Sequence, residues 1–299
     1  MKYYSVLECS ILWGVSERTV RNYCAKGRIP GAVLKGKTWC IPVDAERPER
    51  INKRETLPRT LPERLRAERR MQQSGGIYQK LQIDMAYHSN RIGDCFLSLD
   101  QTRSIYETGI LFPDEVCISV DNVVETANHF RCVDLVVEHA AKPLSEGFIK
   151  ELHRTLLSGT SLSRRPWFAV GGYKKLANEI DGQSAAPPAL VPAAMAKLLR
   201  EYDVSAPKTL AELLDFHVRF ERIHPFQDGN GRVGRLILLK ECLRCGVVPF
   251  LIEERHRALY ERGMRIWDES PEDLLETCLL LQDDFMAVLD SFGVRYDED

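Results

Sequence analysis

The stretch FERIHPFQDGNGRVGRLILL, residues 220–239, most narrows what this 299-residue chain can become. Phe220 and Ile223 close one apolar-periodic helix, and Leu236, Ile237 and Leu239 belong to the next. Between them His224-Pro225 breaks the first helix, because proline disfavours a helical conformation in the residue before it. Asp228-Gly229-Asn230-Gly231 reads as a tight turn, where glycine permits unusual φ and close backbone approach. Backbone N–H groups at such a helix start form an anion site. Arg232 and Arg235, three apart, share one face of the first helical turn. Two guanidinium groups there can clamp phosphates bidentately. Asp228 adds a hard oxygen ligand suited to Mg²⁺, which takes few protein ligands and fills its shell with phosphate and water. His224, with a reference pKa of about 6.5, can be a neutral base at pH 7. Base, metal carboxylate and phosphate cradle together describe transfer of a phosphorus group to a hydroxyl.

Composition sets the frame for that segment. At 44% hydrophobic residues the chain can build a sizeable core, and 19 glycines and 15 prolines exclude a collagen-like or wholly disordered reading. No apolar run approaches the ~18 residues of a membrane span. The start MKYYSVLECS lacks the pattern of a signal peptide, and nine cysteines without a leader read as reduced thiols of a cytoplasmic protein. The net charge of −2 conceals an asymmetry. Residues 1–70 carry 16 Lys and Arg against 8 Asp and Glu, and the remainder carries 25 against 35. A basic front on an acidic body suggests a nucleic-acid-facing module joined to something else, although many of the basic residues fall in 47–70, as a solvated linker would have them.

The chain reads as three parts: residues 1–45, a charged linker over 46–70 with a helix expected from Pro62 onward, and a helical body over 71–299. In the first, Val6, Leu7, Ile11 and Leu12 have helical spacing up to Gly14, Ser16 caps a second helix over Glu17–Lys26, and VLKGKTWCIP reads as two short strands. Helix, turn, helix and basic hairpin is the logic of a winged helix-turn-helix, with Arg18, Arg21 and Asn22 outward on the second helix and Lys35 and Lys37 at the wing. In the body the periodicity predicts helices over 77–88, 121–141, 145–157, 191–202, 208–222, 231–245 and 272–291, with a β-hairpin over 167–180.

Residues 1–44, YYSVLECSILWGVSERTVRNYCAKGRIPG with KGKTWCIP, resemble the excisionase/MerR-type helix-turn-helix family, which implies DNA binding. A small helical module docking on protein is the competing reading. HPFQDGNGRVGR looks like the signature of the Fic (filamentation induced by cAMP) family, HPFx[D/E]GNGRxxR, and the resemblance extends over most of 75–290. It implies a mainly α fold: a Fic-type helical core with a β-hairpin flap, here preceded by the small winged helix-turn-helix domain. It also implies a protein adenylyltransferase that moves AMP from Mg²⁺-ATP to a protein Ser, Thr or Tyr hydroxyl, on a target or on itself. His224 would be the base, and Asp228 would hold Mg²⁺. Gly229, Asn230 and Gly231 would form the anion hole, Arg232 would orient the α/β-phosphates, and Arg235 would meet the γ-phosphate. Phe226 would be a buried anchor of the loop. The hairpin over 167–180 resembles the family flap, which aligns the target chain by strand-type pairing; Tyr173, Lys174, Lys175 and Leu176 are its expected exposed part. Both kinds of module often pair, so a homodimer is the expected assembly.

One departure stands out. HSNRIGDCFLSLDQT, residues 88–102, looks like the family's inhibitory stretch, with its helix near 85–95 and Ser89 at the motif serine, but Gly93 holds the place of the glutamate. In the family that glutamate pairs with the second signature arginine and blocks the γ-phosphate. Gly93 cannot, so self-inhibition and the reverse, AMP-removing activity are expected to be weak or absent; a natural departure and an engineered Glu→Gly change read alike. Asp94 lies about 100° further round a helix. Cys242 and Cys245 have no second pair to complete a zinc site. His129, His139, His153 and His217 read as structural, and Trp167 and Trp267 as core or interface anchors. Two other functions remain open. One is a DNA-binding transcription regulator whose Fic body senses nucleotide. The other is a Fic enzyme transferring a different nucleotide or a phosphate.

Overall fold

The computed structural model describes residues 3–25, 27–35, 38–48, 58, 60–93, 95–112, 117–180, 183–202 and 205–296. Lys37 and Asp94 lie outside the described residues, as does the side chain of Asn22. The chain divides into two compact units, Met1–Thr56 and Leu57–Asp299.

In the first unit, helix α1 (Val6–Trp13) starts at a capping box: the Ser5 hydroxyl accepts from the Glu8 N–H and the Glu8 carboxylate accepts from the Ser5 N–H. Gly14, at φ 62°, ends it. Helix α2 (Glu17–Ala25) packs on α1. Strands β1 (Tyr3–Tyr4), β2 (Val33–Lys35) and β3 (Thr38–Pro42) form an antiparallel sheet in the order β1-β3-β2, with Leu34 opposite Trp39. The core is Val6, Cys9, Trp13, Val20, Tyr23, Cys24, Ile29 and Ile41. Leu7, Ile11 and Leu12, expected to belong to the apolar face of the first helix, are exposed instead. Val6, Cys9 and Trp13 recur at three and four residues and win the buried face because Trp13 brings the larger surface.

The second unit is built almost wholly of helices: α3 (Leu61–Met71), α4 (Ile77–Ile92), α5 (Leu99–Thr108), α6 (Val120–His139), α7 (Glu146–Leu157), α8 (Val191–Tyr202), α9 (Leu210–Ile223), α10 (Asn230–Cys245), α11 (Arg257–Arg265) and α12 (Pro271–Ser291). Helix α3 falls inside the span that reads as linker, and Leu61 and Leu65 are fully buried in the body. The helix expected from Pro62 onward is present, but its two buried leucines dock it on the body, so it is not linker. Helices α5 and α11 add to those the periodicity predicts. The hairpin pairs β4 (Glu179–Ile180) with β5 (Gln183–Ser184), overlapping only the end of the predicted 167–180, the rest of which is turns, bends and irregular backbone.

Helix α10 runs through the centre, with every residue from Val233 to Leu243 buried and with α9, α6, α7 and α4 packed around it. A helix buried on all sides belongs in a core. Two of its three buried charges match each other: Lys240 donates to Glu241 at 2.6 Å and to the Lys142 carbonyl, and Glu241 also accepts from Tyr202 at 2.7 Å and Arg244 at 2.8 Å. The rigid centre of the fold therefore begins at the glycine-rich turn.

Candidate active site

Helix α9 is started by the Thr209–Glu212 capping box and stopped at His224, whose φ of 49° lies in the left-handed region. A non-glycine residue rarely adopts it, and such backbone collects at functional sites. The turn reverses the chain, so that His224 stands at the mouth of the loop that α10 closes. Its Nδ1 faces the Glu221 carbonyl at 3.3 Å. With Nδ1 donating there, Nε2 is the basic nitrogen. Burial pushes the imidazole below its ordinary pKa, with Lys174 acting in the same direction and Asp228 opposing. A neutral base at pH 7 results.

The loop is fastened from inside. Asn230 accepts from the Phe226 N–H at 2.8 Å and donates to the Phe226 carbonyl at 2.9 Å. Its side chain is therefore a clamp on the loop, and only its backbone N–H is available to an anion. Phe226 is fully buried and lies parallel to the His153 ring, 4.0 Å between centroids. Gly229, at φ 78°, begins α10, and a Cβ there would come within 3.3 Å of Leu157. The first N–H groups of α10 have no partner within the helix, and Asp228, just before them, has a carboxylate that is 42% exposed.

The two signature arginines are held differently. Arg232 pairs with Glu125 of α6, both largely buried, and with Asp228 at 3.3 Å. Arg235 reaches across to α4, donating to the Ser89 hydroxyl at 3.0 Å and the Ser89 carbonyl at 2.8 Å. Arg235 also faces the half-buried Glu221, whose carboxyl burial pushes up to about 7 against the pull of that guanidinium. The α4 helix thus still engages Arg235 without a glutamate. Gly93 caps the C-terminus of α4, is exposed, and a Cβ added there would meet only the Asn90 carbonyl, at 3.5 Å.

The segment expected to face a target is laced to this loop. The Lys174 N–H donates to the Pro225 carbonyl at 2.9 Å, Leu176 N–H to Gln227 at 3.1 Å, and Asn178 to the Phe226 carbonyl at 3.0 Å. Lys175 and Leu176 are exposed as expected. Lys174 is not: its main-chain bond draws it inward, it is buried, and its ammonium meets Asn178 at 2.5 Å. Tyr173 is half-buried, with Lys150 over its ring.

Two residues that no sequence motif singles out join the site. His153, which reads as merely structural, accepts from the Gly171 N–H at 2.9 Å while stacking on Phe226; burial lowers its pKa to about 4. Glu125 holds Arg232. Its only sequence signal is a carboxylate on an otherwise apolar-periodic helix. His217 meets Tyr260 and His129 is fully buried, each lowered to about 3 by burial, so neither is a base. Trp267 is buried, donating to Asp215 at 3.2 Å, while Trp167 is 40% exposed. Cys242 is buried and Cys245 half-buried. Among the described residues no group of three or more His, Cys, Asp or Glu could hold a metal. The lone Asp228 carboxylate beside a helix N-terminus does fit Mg²⁺ carried with a polyphosphate, where phosphate and water supply most of the ligands. In the first unit Arg18, Arg21 and Lys35 are exposed; Arg21 pairs with Glu17 at 3.2 Å and Lys35 lies over the Tyr3 ring. No helix among the described residues is long and apolar enough to cross a membrane.

Known proteins resemble this arrangement. Residues 143–242 match the Fic/DOC family. The chain is 28% identical over 188 residues to protein adenylyltransferase fic-1 of Caenorhabditis briggsae, covering 60% of this chain and 35% of the relative. It is 27% identical over 179 residues to protein adenylyltransferase Fic of Nematostella vectensis, covering 57% and 40%. The match therefore spans well under half the length of these relatives. A solved Fic-domain-containing signalling protein from Bacteroides thetaiotaomicron superimposes with a TM-score of 0.62 at 24% identity, over 80% of this chain and 99% of that one. Fic-1 from Caenorhabditis elegans, solved as a variant with one Glu replaced by Gly, gives 0.56 at 23% identity, over 76% and 65%. The fold of the second unit is the Fic fold, and the family match supports the same grouping.

Proposed function

We propose that this chain is a protein adenylyltransferase that moves AMP from Mg²⁺-ATP to a protein hydroxyl. One observation carries the reading: a neutral, loop-held His224 precedes a helix N-terminus that brings together a partly exposed carboxylate, Asp228, and two arginines. A nucleotide sensor needs the phosphate contacts but no base. The names of the relatives support the same class of reaction.

In this reading the Nε2 atom of His224 takes the proton of a target Ser, Thr or Tyr hydroxyl. The hydroxyl oxygen forms a bond to the α-phosphorus as the bond to the bridging oxygen breaks, and pyrophosphate leaves with the electron pair. The first N–H groups of α10 stabilise charge on the α- and β-phosphates. Asp228 would hold Mg²⁺, which when bound neutralises phosphate charge. Arg232 would orient the phosphates, and Arg235 would meet the γ-phosphate after leaving Ser89. The exposed edge at Lys175 and Leu176 would meet the target chain. Exposed Arg18 and Arg21 on α2 support DNA binding by the first unit, with α2 in the major groove.

The test is incubation of the purified chain with Mg²⁺ and α-labelled ATP, beside His224→Ala. Label and one AMP of added mass in the unaltered chain, lost in the variant while ATP binding survives, is the expected result. Transfer that persists without His224 would overturn the mechanism. Tight ATP binding with no transfer, even with cell extract supplied as target, would favour the nucleotide-sensing regulator.

A further inference from the structure

Arg232 lies between two carboxylates, and they are not equivalent. Glu125 comes from α6, and in this pair both side chains are about seven-eighths buried, at 14% and 12% exposed. Asp228 comes from the loop, is 42% exposed, and meets one guanidinium nitrogen at 3.3 Å. Water screens the second pair far more than the first. The guanidinium therefore leans on Glu125. Below it on α6 lies His129, neutral because burial lowers it to about 3, so no second cation from that ring competes for Glu125.

Without Glu125 the pairing inverts. Arg232 would have Asp228 as its remaining ion-pair partner among the described residues, four positions back and within reach. An arginine fork on a carboxylate occupies both oxygens and cancels the charge that a hard dication needs.

We propose that Glu125 is a positioning residue that limits Arg232 to a single 3.3 Å contact with one oxygen of Asp228. The rest of the Asp228 carboxylate then stays available to a divalent cation, and the guanidinium stays fixed beside the phosphate cradle. The inference rests on the Mg²⁺-nucleotide reading above and assigns its divalent-cation affinity to a residue outside the signature.

Mn²⁺ serves as the probe, its binding to the full chain followed by electron paramagnetic resonance with saturating ATP. Glu125→Gln, nearly isosteric, should weaken Mn²⁺ binding by about ten- to a hundredfold, the range for a partner that orients a metal ligand. The discriminating measurement adds Arg232→Met. With no guanidinium to fall onto Asp228, Glu125→Gln should cost little further Mn²⁺ affinity. A merely structural Glu125 would give equal losses in both backgrounds, and that additivity would overturn the proposal. So would wild-type Mn²⁺ affinity in Glu125→Gln, or tighter ATP binding by that variant in EDTA, which would mark Glu125 as a mask over Arg232. Should Mn²⁺ binding follow Glu125 as expected while no AMP is ever transferred, only the adenylyltransferase reading falls. Absence of Mn²⁺ binding by the unaltered chain would overturn both.

Discussion

Replacing Gly93 with Glu should separate ATP from ADP at this site. Position 93 lies four residues beyond Ser89, so the two share one face at the end of α4. Helical side chains lean toward the N-terminus, which carries a residue at 93 back over Ser89. There Arg235 already donates to the Ser89 hydroxyl and carbonyl. The backbone at 93 has φ −93°, and a Cβ would find the Asn90 carbonyl at 3.5 Å, an ordinary contact, so the substitution carries no steric penalty. A carboxylate on the buried Arg235 forms charge-assisted hydrogen bonds that contribute about 1.5–3 kcal/mol. A γ-phosphate must displace them, so ATP affinity should fall roughly ten- to 150-fold. ADP has no γ-phosphate and should bind as before. Isothermal titration calorimetry with Mg²⁺, in a His224→Ala background that prevents turnover, reads both constants. Equal losses for ATP and ADP would mean that the helix end had been distorted. Unchanged ATP binding would mean that Arg235 does not meet the γ-phosphate.

Three further outcomes follow from the geometry. Asn230→Ala leaves the buried Phe226 N–H without a partner and its carbonyl with Asn178 alone, and should cost about 1–3 kcal/mol in urea unfolding, together with most of the transfer activity; full activity would show that the loop holds without its clamp. Burial keeps His224 below its ordinary pKa, so the protonated, inactive form should accumulate only below about pH 6.5. The transfer rate should then climb with pH through that region and level off near neutrality, and an acid limb centred above pH 7 would contradict the assignment. Arg18→Ala with Arg21→Ala should weaken DNA retention in a mobility assay and flatten its salt dependence by about one unit of slope per lost phosphate contact, whereas an unchanged slope would argue that α2 faces protein.

Periodic elements of the fold are legible in the sequence, and elements defined by a few buried residues are not. Helices α8 and α10 begin and end within a residue of their apolar patterns, α8 through the regular spacing of Val191, Met195, Leu198 and Tyr202 and α10 through the Leu236–Leu239 run. Helix α3 begins where a helix is expected, at Leu61 beside Pro62, but its arginines and glutamates hide how it docks through Leu61, Leu65, Ala67 and Glu68. Glu68 in particular looks like a surface residue in sequence. In three dimensions it accepts from Arg64 at 2.5 Å and the Tyr78 N–H at 2.9 Å, and a burial of that kind is decided by partners further along the chain. In α1 the apolar count favours Leu7, Ile11 and Leu12, yet the core takes Val6, Cys9 and Trp13. Binary pattern cannot rank two overlapping stripes when the sheet that chooses between them, β1-β3-β2, lies elsewhere in the sequence.

The same division runs through the site. Everything that a turn and a helix start require sits within residues 224–235, because local chemistry needs local neighbours: His224 before Pro225, Gly229 in the left-handed region, Asn230 folded back on Phe226. The groups that aim this machinery come from other helices: Glu125 from α6 for Arg232, and Ser89 from α4 for Arg235, with Glu221 of α9 and Tyr260 of α11 beside it. No spacing rule joins residue 125 to residue 232. A buried guanidinium nevertheless demands a partner, since an unpaired one in the core would cost several kcal/mol. Two arginines in a segment that opens a wholly buried helix therefore imply partners on neighbouring helices, even though the sequence does not say which. For Arg235 the Ser89 hydroxyl and carbonyl meet that demand, with Glu221 and Tyr260 beside the guanidinium. A carboxylate placed at position 93 would therefore strengthen a contact between α4 and Arg235 that already exists.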